Sequence, residues 1–164
     1  MSLFSGCVQP YTVTLEQVGS NVVATGSGAI NLTGLSYGGS TTNSYPFIMA
    51  DGPRIVTGSK SSFDYYTGAT GPTRIGSGPY DGDAFNADAG SGDAVGIDIN
   101  FLRAPVGYTS YNKLSSSATW NGKNLSGSRA QNFDALGGVM PGTYVWTWGI
   151  GLPNQKFTLI IKPP

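Results

Sequence analysis

The chain has 164 residues, no histidine and one cysteine, with nine basic and nine acidic side chains. No Ser-His-Asp or Cys-His catalysis, imidazole metal site or intramolecular disulfide can be built from that set. The basic residues are scattered and the formal net charge is zero, so the clustered positive surface that nucleic-acid binding needs is missing.

Charged residues make up 11% of the chain, against about a quarter in an average globular domain. Solubility therefore rests on Ser, Thr, Asn and Gly, a composition typical of surface-exposed and particle-borne β proteins. The length fits one domain, 1–164, with 1–10 as a flexible or arm-like start. No apolar run approaches the roughly 20 residues of a membrane span. The opening MSLFSGCVQPY has neither a charged n-region nor an apolar h-region, so it does not read as a signal peptide.

Twenty-five glycines and ten prolines punctuate short segments rich in Val, Ile, Thr, Tyr and Trp. That pattern predicts strands joined by turns. Tyr11–Val18 alternates and leads through Gly19-Ser20-Asn21 into Asn21–Thr25, a hairpin. Gly26-Ser27-Gly28 permits a bend, and Ala29–Thr33 continues the strand pattern. Residues 34–46 read as a polar loop. Phe47–Ala50 and Arg54–Thr57 read as short strands around the Asp51-Gly52-Pro53 turn.

Gly58–Pro79 reads as irregular, the kind of stretch where function often sits. Val95–Phe101 alternates cleanly as one strand, with Val95, Ile97, Ile99 and Phe101 on one face. Ser115–Trp120 is a further strand ending at Asn121-Gly122. Arg129–Leu136 is the one segment with helical character, stopped by Gly137-Gly138. Thr143–Trp148 and Lys156–Lys162 form a closing hairpin, with Tyr144, Trp146 and Trp148 on one face. The expected fold is an all-β antiparallel sandwich, jelly-roll-like, with glycine-rich loops and at most one short helix.

Charge concentrates once. Asp81, Asp83, Asp88, Asp93 and Asp98 lie with no Lys or Arg between Arg74 and Arg103. Carboxylates on glycine-rich turns suit Ca²⁺, which makes Asp81, Asp83, Asp88 and Asp93 a candidate calcium site. Asp and Gly are also ordinary turn formers, and the spacing is not that of an EF-hand, so no cofactor is required. Asp81 and Asp83 as a hydrolytic carboxylate pair is the least favoured alternative. Aromatic residues in irregular segments, Tyr65, Tyr66, Tyr80, Tyr108 and Tyr111, are the candidate interaction surface. Such rings bind sugars or make protein interfaces.

Several segments together carry a resemblance. They are Tyr11–Leu35 (YTVTLEQVGSNVVATGSGAINLTGL), Ser91–Ile97 (SGDAVGI), Ala104–Tyr108 (APVGY), Ser115–Trp120 (SSSATW) and Pro141–Leu159 (PGTYVWTWGIGLPNQKFTL). In this order the chain resembles the ectodomains of bacterial PEP-CTERM sorting-domain-containing proteins. The resemblance implies an exported body of no assigned activity, and it transfers no catalytic residue. The family's signal peptide and Pro-Glu-Pro tail have no counterpart here, which keeps a phage or other virus particle as an alternative carrier.

The expectation is thus a non-catalytic structural or interaction domain on a bacterial surface or a virus-like particle. Its partners would be other protein subunits, further copies of itself, or glycans. The alternatives are a virion component such as a capsid decoration or fibre protein, and a carbohydrate-binding module.

Overall fold

The computed structural model describes residues 8–76, 83–125, 135–136 and 138–164. Alternation and glycine punctuation produce these strands: β1 (Thr12–Val18), β2 (Asn21–Gly28), β3 (Ser36–Ser44), β4 (Phe47–Met49), β5 (Arg54–Thr57), β6 (Ser61–Thr67), β7 (Ala84–Asn86), β8 (Ala89–Gly92), β9 (Val95–Asp98), β10 (Phe101–Pro105), β11 (Leu114–Asn121), β12 (Gly142–Thr147) and β13 (Lys156–Ile161). Among the described residues there is no helix. Most of the expected helix, 129–134, lies outside the described residues, as do Cys7, Tyr80 and Asp81. Of its end, Leu136 is buried and donates its N–H to the Asn124 carbonyl (2.9 Å).

Six strands form one sheet in the order β12-β13-β1-β2-β11-β8, and seven form the other, β3-β6-β10-β9-β5-β4-β7. Among the described strands pairing is antiparallel except for β1 with β13, which run parallel with Thr12 opposite Thr158 and Leu15 opposite Ile161. The fold is an all-β sandwich. Its core is the alternate residues of the inner faces: Tyr11, Val13, Leu15, Trp120, Trp146 and Phe157 from one sheet, and Ile48, Ile55, Ile97 and Leu102 from the other. Alternation turns every second residue inward, most of them hydrophobes, so a one-residue slip would expose the buried row.

Five segments depart from the sequence reading. The polar loop expected at 34–46 contains β3, an edge strand with register shifts at Tyr37/Gly39 and Thr41/Ser44. SYGGSTTNS has no apolar alternation because an edge strand holds its place by its ladder to β6. The irregular stretch at 58–79 contains β6. There Asp64 points inward with 6% exposure, and it accepts from Ser40 Oγ and from Gly107 N (2.9 Å). An inward carboxylate breaks the apolar pattern that would have marked the strand.

Val95–Phe101 is two strands. Ile99 takes a positive φ of 60° in the turn between β9 and β10, so the inward row passes from Ile97 to Leu102. Ala29–Thr33 is not strand: β2 ends at Gly28, whose φ of 123° and packing on the Pro10 backbone turn the chain. Residues 8–10, expected in a loose arm, are tied down. Asn154 Nδ2 lies 3.0 Å from both the Val8 and Ala29 carbonyls, and Ala29 N donates to Gln9 O (2.9 Å).

The sheets are joined by a buried run of hydroxyls. Tyr11 Oη lies 2.5 Å from Ser116 Oγ, and Ser116 Oγ lies 2.5 Å from Thr57 Oγ1. Thr57 in turn donates to the Val95 carbonyl (3.4 Å), so each hydroxyl upstream donates to the next. Gly26 makes room, because a Cβ there would collide with the Tyr11 hydroxyl. Burial raises the Tyr11 phenol above its ordinary 10.0.

The folded chain therefore keeps a proton that the unfolded chain releases. The associated stability is whole below pH 10 and is lost as pH rises toward the folded value. In alkaline melts, Tyr11→Phe should flatten this loss relative to the native chain. At neutral pH it should cost about 0.5–1.5 kcal/mol.

Candidate functional site

Of the acidic residues, Asp88 and Asp93 flank β8 on either side. Asp88 Oδ2 accepts from Asn121 N (2.7 Å), and Asp93 Oδ2 accepts from Ser115 N (2.9 Å). Each carboxylate thus caps one end of the neighbouring β11. With strand β8 between them, their Cα atoms are roughly 16 Å apart at the usual rise. Oxygens that share one Ca²⁺ must each come within about 2.6 Å of it. The structure does not bring these two together. Asp83 is exposed just before β7, and Asp81 lies outside the described residues. Among the described residues no three His, Cys, Asp or Glu side chains gather as a metal site.

Tyr108 and Tyr111 act as loop tethers. Tyr108 Oη accepts from Ile30 N (3.0 Å) and donates to Asn112 O (2.6 Å); burial raises its pKa despite the backbone bond to Ile30. Tyr111 sits at φ 70°, and its Oη accepts from Asn31 Nδ2 (3.0 Å) and lies 3.3 Å from Pro153 O. Tyr65 and Tyr66, as neighbours in a strand, face opposite sides of the sheet. Tyr66 meets Tyr37 edge-on at 5.7 Å in the inner row. Of the expected tyrosines within the described residues, Tyr65 is the one that joins a groove.

That groove crosses the outer face of the seven-stranded sheet, where it encloses about 410 Å³ between Thr41, Phe63, Tyr65, Asp98, Phe101 and Arg103. The register explains the assembly. Arg103 stands opposite Tyr65 on one side and Gly96 on the other, and Phe101 stands opposite Asp98. The Tyr65 ring lies against Gly38 and Gly39 of β3, where side chains would collide with it. Phe101 stands nearly perpendicular to it, with centroids 6.0 Å apart at 85°. The Arg103 guanidinium lies 4.4 Å from the Phe63 ring centre and 5.4 Å from that of Phe47, the contact favoured by the ring quadrupole.

Asp98 organises the cations. Its Oδ2 accepts from Arg103, and Arg54 Nε lies 2.9 Å from Oδ1 in an ion contact whose N–H is not aimed at the oxygen. The Arg103 and Asp98 side chains are 13% and 20% exposed, so water screens this pair less than an ordinary surface bridge. Phe47, Phe63, Phe101, Arg103, Asp98 and Thr41 were not singled out by the sequence as one surface. The available signal was the aromatic repeat Phe63/Tyr65 beside Phe101/Arg103 on adjoining strands, hidden by the unrecognised β6 and the turn at Ile99.

A second exposed feature is the β12–β13 loop. Ile150 is 88% exposed at its tip. Buried Gln155 holds the backbone beneath: its Oε1 accepts from Ile150 N (3.2 Å) and Leu152 N (2.7 Å), and its Nε2 donates to Thr33 O (2.6 Å).

Comparison with protein-family models, with curated proteins and with solved structures gave no match for this chain.

Thermal melting distinguishes the two kinds of carboxylate. Asp98→Asn should lower stability by about 1–3 kcal/mol, since it leaves a largely buried guanidinium without its anion. Asp88→Asn and Asp93→Asn should stay within about 0.5 kcal/mol of the native chain, because an amide oxygen still accepts the β11 N–H groups.

Proposed function

We propose that the chain is a non-catalytic contact domain, displayed on a bacterial surface or a virus-like particle, and that it engages its partner through the outer face of the seven-stranded sheet. One observation carries this reading: the two outer faces of the same sandwich are built differently. The outer face of the six-stranded sheet is mostly hydroxyl, interrupted by Val23, Val145 and Ile160, and its central strands are the most polar part. Thr14 lies opposite Thr25, Thr25 opposite Ser117, and Ser117 opposite Ser91, in a single row across four strands. That is what an antiparallel sheet needs to face water.

The seven-stranded sheet instead sets four aromatic rings around an Arg103–Asp98–Arg54 cluster on its outward side. Solvation alone does not call for such a face. Aromatic residues and arginine are also the groups enriched at contact surfaces. The rings and the guanidinium hold one another in place, so little ordering entropy remains to be lost on binding. The low charge of the chain suits a body held among neighbouring surfaces, and the resemblance to exported ectodomains supports display.

The test uses fluorescently labelled protein added to intact source cells and to purified particles. Saturable binding is expected. It should be weakened about tenfold or more by Tyr65→Ala, with Thr25→Ala and Ser117→Ala without effect. No saturable binding to either, or loss through the hydroxyl face instead, overturns the proposal. Antibody labelling of unpermeabilised cells and of particles reports where the domain is displayed.

A further inference from the structure

We infer that the Tyr65–Phe101–Arg103 groove is a saccharide site that takes a pyranose ring of an oligosaccharide. The inference rests on the contact reading above and names the ligand class for the same face.

The chemistry of the groove selects the ligand. It lies on the face of a sheet, between β6, β10 and β9, whose backbone N–H and C=O groups are engaged in the ladders. A peptide bound there would find no backbone partner for its own amides, unlike a peptide added at a sheet edge. Recognition falls to side chains. Tyr65 and Phe101 supply two apolar surfaces nearly at right angles, 85°, with centres 6.0 Å apart. That corner accepts the C–H face of a sugar ring on one wall and its edge on the other.

Beside the corner stand an oriented carboxylate and a guanidinium, Asp98 and Arg103, together with the Thr41 hydroxyl. Each Asp98 oxygen can accept a further hydrogen bond beside its arginine contact, so the carboxylate and the Thr41 hydroxyl together match neighbouring sugar hydroxyls. Ring stacking plus a few fixed polar groups is the usual make-up of a small-ligand site, and about 410 Å³ lies within the usual size range. A nucleic acid would also stack on these rings, but it would need a positive surface that a chain of zero net charge lacks.

The polar groups are held before any ligand arrives. Asp98 is fixed by Arg54 and Arg103, and Arg103 by Phe63 and Phe47. Tyr65 is held flat by the two glycines of β3, whose lack of side chains keeps the wall in position.

The full chain is probed on an array of defined neutral and acidic oligosaccharides that includes cellohexaose, xylohexaose, chitohexaose and hexagalacturonate, with decaproline as the peptide control. The best binder is then titrated calorimetrically. Binding to at least one oligosaccharide is expected, weakened about tenfold or more by Tyr65→Ala and by Phe101→Ala. Tyr65→Trp, which keeps the platform, should retain affinity, as should Tyr111→Phe far from the groove. Circular dichroism confirms that each variant folds.

Silence across the array, binding of decaproline alone, or sugar binding that survives both alanine variants overturns the inference. If the array is silent while labelled protein still binds cells or particles through Tyr65, the ligand class is wrong and the contact reading stands. If both are silent, both fall.

Discussion

The sandwich depends on three hydroxyls in a place where hydroxyls are costly. Tyr11, Ser116 and Thr57 are each nearly or fully excluded from water, and each would be destabilising alone. Joined in a run that ends on the Val95 carbonyl, they become the fastener between the layers. Ser116 belongs to the six-stranded sheet and Thr57 to the seven-stranded one, so the run sets the position of β5 against β11. The next backbone group reinforces it: Gly58 N donates to Ser117 O across the same seam (3.0 Å). Purely apolar faces can slide over one another, whereas a hydrogen-bonded run between them satisfies its groups in one alignment.

That alignment reaches the outer surface. β5 pairs with β9, and β9 with β10, so fixing Thr57 also fixes Arg54, Asp98 and Arg103 on the far side of the same strands. The ionic cluster then does outside what the hydroxyls do inside. It stitches neighbouring strands and holds Phe63 and Phe47 under a guanidinium. The groove is thus an extension of the core's order through the thickness of one sheet, while the central strands of the opposite sheet end in a Ser/Thr row.

Where the sequence could be read, it was read through alternation. β1 with β2 and β12 with β13 were legible because Val13, Leu15, Trp146, Phe157 and Leu159 recur at every second position with turn residues between. β11 was legible for the same reason. β3 and β6 were not, since one is an edge of Ser, Thr and Gly and the other turns Asp64 inward. The break at Ile99 was hidden because a β-branched residue rarely takes a positive φ. These misses fall where the groove is built, so Tyr65 stood out in the sequence while the residues that line the groove with it did not. Tyr108 and Tyr111 looked like free platforms because sequence shows a ring and not the partner of its hydroxyl.

The parallel pairing of β1 with β13 has a mechanical side. Near one end of this pair the chain enters β1, and near the other it leaves β13: Thr158 N donates to Tyr11 O, and Lys162 N to Leu15 O. A pull applied through the segments flanking these strands would draw them lengthwise past each other. The hydrogen bonds between them would then be loaded together in shear, where a hairpin pulled from its open end unzips one bond at a time. A domain strung in this way resists stretching along its strands and transmits tension across the body.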